Sequence, residues 1–184
     1  FYNTFYEKVP VDKKEILLVS RSGLALESNI LAILKELNQP EYKEFYKVLA
    51  VQKNKKEQIQ KKLERYGISV DKFVYTREAT YYYHLAKAGW LINDTTFPGR
   101  YIKKDGQTYL NVWHGTPLKR MGQDNPEERY DTGNVMRNLL QSDYLVFPNF
   151  YMEEKMSGAY NLKEHYQGTV LHECYPRYCI FFHS

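Results

Sequence analysis

One stretch of the sequence combines a histidine with residue types that expose a side chain at a turn. Thr108 to Trp113 is a β-branched and aromatic run that predicts a strand, and this pattern stops at Gly115. Thr116 suits a helix N-cap, and Pro117 suits the first helical position because its fixed φ and missing N–H cost nothing there. His114 is therefore predicted to lie at the carboxyl end of a strand, in front of a helix N-terminus.

The residues around His114 suit proton transfer beside an anion. An imidazole titrates near neutral pH unaided, so it can act as a general base. Lys119 and Arg120 would lie in the first turn of the predicted helix, where each cation opposes the macrodipole by about 0.3–1 kcal/mol. A bound anion would offset that cost, and an imidazole beside a phosphate pocket fits phosphoryl transfer. The alternative is a solvated basic turn with the imidazole hydrogen-bonded in the core.

Predicted strands and helices alternate along the chain. The strands are predicted at 15–20, 45–51, 70–75, 89–94, 108–113, 143–147 and 168–174, and the helices at 28–37, 52–66, 76–87 and 134–140, from 116 and from 150. Segments 1–10 and 122–133 are predicted to be irregular. The alternation predicts a Rossmann-like α/β fold, with an open, mostly parallel sheet and helices on both faces. Ligands bind at the carboxyl edge of such sheets, so loop 94–99 is expected to face the same crevice as His114.

Composition and missing motifs exclude several classes of protein. The 184 residues include 43% hydrophobic residues and carry a formal net charge of +4, which is typical of a soluble domain and lower than in dedicated nucleic-acid binders. This charge predicts no nucleic-acid partner. No cofactor is predicted, since the sequence has neither a dinucleotide fingerprint nor a P-loop. His172 and Cys174 lack a second ligand pair, so no metal site is predicted. Two cysteines and no membrane-length apolar run indicate a reducing compartment and, at most, peripheral membrane contact.

The predicted helix 52–66 is strongly basic. Its cations are Lys53, Lys55, Lys56, Lys61, Lys62 and Arg65. Such a run is usually a solvated face. The other interpretation is a peripheral patch for anionic lipid headgroups, to which each lysine near the surface adds about 1 kcal/mol.

The histidine stretch also resembles a known family signature. Residues Tyr109 to Lys119, Tyr-Leu-Asn-Val-Trp-His-Gly-Thr-Pro-Leu-Lys, resemble the signature of the CDP-glycerol glycerophosphotransferase family, the polyol-phosphate primases and polymerases of teichoic-acid synthesis. Segments 91–98, 142–149 and 175–177 are similar as well. The resemblance covers roughly residues 70–177, and the Trp-His-Gly-Thr-Pro-Leu-Lys run is specific.

The resemblance implies an enzyme of two Rossmann-like halves in a GT-B arrangement, with the active site in the cleft between them. Members transfer glycerol phosphate or ribitol phosphate from a CDP-alcohol to a hydroxyl on a lipid-linked chain and release CMP. By motif match, His114 would be the catalytic histidine of the first half and the base for the attacking hydroxyl. Substrate or phosphate contacts are assigned to Gly115, Thr116, Lys119, Asn93 and Thr95.

The family's second half carries the CDP-alcohol site, and nothing after Arg177 resembles it. We therefore expect residues 1–177 to form an acceptor-side domain and residues 178–184 to be an apolar tail where a second domain would begin. By itself the chain is expected to have little transfer activity. The expected partners are CDP-glycerol or CDP-ribitol, a lipid-linked glycerol-phosphate acceptor and the inner face of the cytoplasmic membrane. The alternatives are a non-catalytic module that binds anionic polymer or lipid, and, without any recognition motif in its favour, an RNA binder.

Overall fold

A single parallel sheet organises the computed structural model, which describes residues 2–128 and 130–181. Within those residues the strands are β1 (Asp12–Val19), β2 (Tyr46–Val51), β3 (Lys72–Tyr75), β4 (Ala88–Asn93), β5 (Thr108–Asn111), β6 (Tyr144–Val146) and β7 (Thr169–Leu171). The helices are α1 (Tyr2–Lys8), α2 (Ser28–Glu36), α3 (Lys56–Arg65), α4 (Ala79–Lys87), α5 (Gly133–Gln141) and α6 (Phe150–Ala159). All strand pairs are parallel, in the order β3-β2-β1-β4-β5-β6-β7.

The strand order reverses direction between β1 and β4. From β1 the chain builds outward through β2 and β3, and it then returns to the other side of β1 with β4. The connections that leave β1 and β4 therefore diverge and form a crevice at their carboxyl ends, where open α/β sheets bind ligands. The predicted Rossmann-like fold is confirmed.

Helices cover both faces of the sheet, as predicted. The side chains of β1 alternate: Ile16 and Leu18 pack in the cluster that includes α2 and α3, whereas Leu17 and Val19 pack with α1 and α4. Each of these side chains is almost fully buried. Full burial of such a side chain contributes about 1.5–3 kcal/mol, so the two clusters hold the central strand from both sides.

Several sequence-based boundaries differ from the structure, most clearly at the two ends of the chain. Segment 1–10 contains α1, because Tyr2, Phe5 and Tyr6 repeat at helical spacing and pack on the α4 side. The last strand ends at Leu171, so Cys174 lies beyond it. A 3-10 helix over Pro176–Phe181 crosses the predicted boundary after 177 and packs against α2. Residues 182–184 of the predicted tail lie outside the described residues.

None of the helices within residues 2–128 and 130–181 has the length and apolar composition of a membrane span.

A buried ionic cluster ties β1 to α4. The Glu15 carboxylate is fully buried, and it accepts hydrogen bonds from His84 Nδ1 at 2.7 Å and from Lys87 Nζ at 2.5 Å. Lys87 also pairs with Asp12 at 3.1 Å. Glu15 is fully shielded from bulk solvent, so its buried charge depends on these partners.

Replacing this carboxylate tests the cluster. Glu15→Gln should lower the free energy of unfolding by about 3–5 kcal/mol, because it leaves the other members of a buried ionic cluster without their partner. Urea denaturation followed by circular dichroism measures this change. The control is Glu44→Gln, which breaks the exposed Lys14–Glu44 pair and should cost less than about 1 kcal/mol. Equal losses in the two variants would contradict the prediction.

Candidate active site

Three strand ends lie in register at the point where the strand order reverses. Val19 of β1 pairs with Asn93 of β4, and Asn93 pairs with Asn111 of β5. Three loops therefore leave the sheet side by side, at residues 20–22, 94–95 and 112–114. His114 lies in the third loop, so the predicted position at the carboxyl edge of the sheet is confirmed.

Two buried amide side chains hold the second and third loops in place. Asn111 Nδ2 donates to the Thr95 carbonyl at 2.9 Å and to Asn93 Oδ1 at 3.2 Å. Asn93 Oδ1 also accepts from the Thr95 N–H at 3.0 Å, and Asn111 Oδ1 accepts from the Trp113 N–H at 2.9 Å. Both asparagines are fully buried. Asn93, predicted as a substrate contact, thus lies behind the surface and positions Thr95, which is partly exposed.

The His114 imidazole is held in one orientation. Its Nδ1 lies 2.7 Å from the Asp94 carbonyl oxygen, and its ring stacks on Trp113 with the ring centroids 4.5 Å apart. A carbonyl oxygen only accepts, so Nδ1 carries the proton and Nε2 keeps the lone pair in the neutral ring. Among residues 2–128 and 130–181, Nε2 has no hydrogen-bond partner, and the side chain is partly exposed. The histidine is therefore arranged to accept a proton at Nε2.

Backbone strain at Trp113 produces the corner that carries His114. Trp113 has φ +46°, a conformation that bulky side chains rarely adopt and that costs on the order of 1–3 kcal/mol. The surrounding structure offsets this cost: the Trp113 ring is 5% exposed, and the buried Asn29 Nδ2 donates to the Val112 and Trp113 carbonyls at 3.2 and 3.1 Å.

Arg177 holds the same corner from the far end of the chain. Its Nη1 donates to the His114 carbonyl at 3.2 Å and to Ser28 Oγ at 2.9 Å. Its guanidinium also lies over the rings of Tyr175 and Tyr178, at 4.5 and 4.8 Å from their centroids. The sequence indicates a role for segment 175–177 only by resemblance to the family. The structure shows that Arg177 of this segment holds the loop that carries His114.

The predicted helix after His114 is wrong. The structure describes residues 116–121 without helix, and a 3-10 turn over Gly122–Asp124 is the next element. Leu118 of this segment is 100% exposed, so the segment gains little from apolar burial, on which short helices depend. Gly122 then ends the segment with φ +57°, where a Cβ would collide with the Ala159 carbonyl. The helix N-terminus expected to bind phosphate beside His114 is therefore not formed.

Lys119 pairs with an acidic side chain, and its predicted phosphate contact stays a prediction. Its Nζ lies 3.4 Å from the Glu128 carboxylate, and its side chain lines a groove of about 560 Å³ between residues 117–121 and α6. The lining of this groove does not include His114. Gly115 and Thr116 adjoin the histidine in the chain and are partly exposed, so their predicted substrate contacts stay a prediction.

Asp94 is the acidic group of the site, and sequence reasoning did not assign it a role. It is 1% exposed, and its carboxylate accepts from the Arg21 N–H at 2.7 Å and from Ser20 Oγ at 3.2 Å. Burial raises the pKa of Asp94, while these two hydrogen bonds and the positive charges of His114 and Arg21 lower it by less. The sequence signal that could have identified Asp94 is its position directly after the apolar strand β4.

Within the described residues, no three His, Cys, Asp or Glu side chains lie close enough together to hold a metal ion. His172 instead lies 2.7 Å from the Glu153 carboxylate.

The raised pKa of Asp94 gives a testable pH dependence. Since the folded protein binds this proton more tightly than the unfolded chain, the contribution to stability is present below the ordinary pKa of 3.8 and is lost as pH rises through the folded pKa. Asp94→Asn removes this titration. The free energy of unfolding of Asp94→Asn, relative to the original protein, should therefore increase from acidic to neutral pH. Urea denaturation at several pH values measures this, and a difference that falls with pH would contradict it.

The fold and this edge together define a Rossmann-like α/β domain that presents an oriented histidine at the point where its strand order reverses. The sequence matches the family described as CDP-Glycerol:Poly(glycerophosphate) glycerophosphotransferase over residues 1–184. The chain belongs to this family.

Individual relatives agree with this assignment. The chain is 28% identical over 179 residues to the teichoic acid poly(glycerol phosphate) polymerase of Bacillus subtilis (strain 168), covering 92% of this chain and 22% of the relative. It is 35% identical over 100 residues to the teichoic acid glycerol-phosphate transferase of Staphylococcus aureus (strain NCTC 8325 / PS 47), covering 50% of this chain and 24% of the relative. A solved structure of the wall teichoic acid polymerase TagF matches with a TM-score of 0.79 at 24% identity, covering 98% of this chain and 43% of that one. The chain thus spans less than half the length of these relatives.

Proposed function

We propose that this chain supplies the acceptor-side half of a CDP-alcohol phosphotransferase of teichoic-acid synthesis, within a two-half GT-B arrangement. The observation that carries the proposal is the hydrogen bond from His114 Nδ1 to the Asp94 carbonyl, which leaves Nε2 free to accept a proton at the sheet edge. Family membership supplies the reaction class, glycerophosphotransfer. The donor is a CDP-alcohol, CDP-glycerol or CDP-ribitol, and the acceptor is a lipid-linked glycerol-phosphate chain.

The proposed step is a displacement at phosphorus. The terminal hydroxyl of the acceptor donates its proton to His114 Nε2 while its oxygen attacks the donor phosphorus that bears the alcohol. The bond from that phosphorus to the CMP oxygen breaks, and CMP leaves with the electron pair. The nearby Asp94 carboxylate stabilises the imidazolium, as its interaction with the His114 charge indicates. Contacts to the donor nucleotide are assigned to residues beyond this chain, so the chain alone is expected to release little CMP.

A chimera tests the base. In a Bacillus subtilis polymerase whose matching segment is replaced by residues 1–184, His114→Ala should lower the rate of CMP release from CDP-glycerol by about 100-fold or more, the range typical of general-base loss. Release is measured by chromatography with a lipid-linked acceptor. The control is His165→Ala, which removes an exposed histidine and should leave the rate unchanged. Unchanged release in the His114 variant would remove the proposed base.

A second candidate function is supported by the cationic surface of α3. Lys61 and Arg65 are exposed, and Lys53 and Lys56 lie over the Tyr75 and Phe73 rings at 5.8 and 5.7 Å. The faces of these rings attract the ammonium groups and hold them at the protein surface. We propose that this surface docks peripherally on the anionic inner face of the cytoplasmic membrane. As a purely non-catalytic module, the chain would bind anionic polymer or lipid by the same surface.

Vesicle binding tests the docking surface. Replacement of Lys55, Lys62 and Arg65 by Gln should weaken cosedimentation with phosphatidylglycerol vesicles about 100-fold at low salt, because each charge adds about 1 kcal/mol. The matched control replaces Lys35, Lys43 and Lys163, which are exposed elsewhere. Equal losses in both triple variants would show that only net charge matters. If binding persists and His114→Ala does not affect CMP release, the non-catalytic alternative is favoured.

A further inference from the structure

The loop after β1 is strained in the same region as the histidine corner. Arg21 and Ser22 have φ +48° and +54°, in the left-handed region that residues other than glycine rarely adopt. This loop leaves the sheet beside the loop after β4, at the point where the strand order reverses. Conformations of this kind persist only where neighbouring contacts impose them, and they cluster at binding and catalytic sites.

The backbone of this loop is fixed firmly. The Arg21 N–H donates to Asp94 Oδ1 at 2.7 Å, and the Gly23 N–H donates to the Ser20 carbonyl at 2.8 Å. The Gly23 carbonyl in turn accepts from the Gln52 N–H at 2.7 Å. A Cβ on Gly23 would approach the Gln52 nitrogen to 2.9 Å, so the loop lies tightly against the start of the next connection.

The side chains of this loop remain available. Arg21 and Ser22 are both exposed, and within residues 2–128 and 130–181 the Arg21 guanidinium has no hydrogen-bond or ion-pair partner. The Ser22 hydroxyl lies 3.3 Å from the Thr95 hydroxyl. An exposed cation therefore precedes, on a rigid backbone, a serine whose hydroxyl lies beside that of Thr95.

Asp94 connects these groups to His114. Its carboxylate holds the amide of Arg21, and its backbone carbonyl holds the imidazole of His114. The position of the Arg21 loop is thus set relative to the base by a single residue.

We propose that Arg21, Ser22 and Thr95 form a phosphate-binding site that holds a phosphodiester of the acceptor chain and presents its terminal hydroxyl to His114. A guanidinium can donate two parallel hydrogen bonds to the non-bridging oxygens of a phosphodiester, and each hydroxyl can donate a further one. The site takes the role that the predicted helix N-terminus after His114 was expected to fill. This inference rests on the proposed acceptor-side function and names the residues that bind the acceptor.

Direct binding tests the site without any turnover. The 184-residue chain, labelled with 15N, is titrated with glycerophosphoglycerol, a phosphodiester with free hydroxyls, and NMR monitors the amides of Ser22 and Thr95. Arg21→Gln should weaken binding about tenfold or more, the usual effect of losing a hydrogen bond to a charged group. Lys43→Gln, which removes an exposed cation before β2 and outside both proposed binding surfaces, should leave binding unchanged. Equal affinity in the Arg21 variant would overturn the site.

Two further measurements identify the molecule that supplies the phosphate and distinguish a binding role of Ser22 from a structural one. CMP should bind more weakly than the phosphodiester, and preferred binding of CMP at Ser22 and Thr95 would assign the site to the donor instead and overturn the acceptor proposal. Ser22→Gly relieves the positive φ, so it should raise the thermal unfolding midpoint while weakening phosphodiester binding. A stabilised variant that binds as before would contradict the role of the hydroxyl.

Measurements on the His114 and Arg21 variants distinguish failure of the phosphate site from failure of the proposed function. His114→Ala should abolish CMP release by the chimera but still bind the phosphodiester, whereas Arg21→Gln should raise the acceptor KM with a smaller effect on kcat. If Arg21→Gln changes neither binding nor KM while His114→Ala is inactive, the phosphate site fails and the base stands. If His114→Ala is fully active and Arg21→Gln still binds poorly, the base fails and the anion site stands.

Discussion

The carboxyl edge of this sheet depends on the hydrogen bonds of one buried residue, Asp94. Its carboxylate accepts from the backbone of the loop after β1, and its carbonyl accepts from the imidazole in the loop after β5. These loops leave strands that flank β4 and are far apart in the chain, so Asp94 links two loops that are not adjacent in the sequence. Burial of the carboxylate raises its pKa, which shows that the arrangement is held against a desolvation cost.

The loops are rigid because buried polar side chains satisfy their backbone groups. Asn93 and Asn111 satisfy the loop after β4, and Asn29 and Arg177 satisfy the strained corner at Trp113. An unpaired buried amide or carbonyl costs about 1–3 kcal/mol, so each loop is stable only in the conformation that completes these bonds. Strain at Arg21, Ser22 and Trp113 is tolerated for the same reason. A base that must meet a hydroxyl oxygen within hydrogen-bond distance requires this rigidity.

Charge is distributed unequally over the domain. The cations of α3 lie on an outer helix, whereas Arg21 lies on a loop of the sheet edge that is joined to the loop of His114 through Asp94. The groove lined by Lys119 is a third cationic region, in which Glu128 and Asp124 neutralise part of the charge. In the proposed enzyme the first surface would approach the membrane and the second would receive the acceptor. This division is consistent with the proposed transfer of an alcohol phosphate from a CDP-alcohol to a lipid-linked polymer.

The amino-acid sequence by itself determined the alternation of strands and helices, the parallel sheet with two covered faces, and the place of His114 at the end of β5. These features arise from local patterns: apolar runs, helical periodicity and a break in a strand. The signature around His114 also identified the family. The conformation of residues 116–121 was not determined in this way, because Thr116 and Pro117 suit a helix start equally well whether or not an apolar face exists to stabilise the helix.

Only the tertiary structure decided which charges meet the histidine. Lys119 is five residues from His114 in the chain but pairs with Glu128, whereas the loop of Arg21 is joined to the loop of His114 through Asp94. Asn93 was recognised as a residue of the edge, but only its burial shows that it positions Thr95. The physical reason is that these contacts are made across strands that are adjacent in the sheet and distant in the chain. Local residue patterns specify each strand end, and the pairing of β1 with β4 and of β4 with β5 decides which ends lie together.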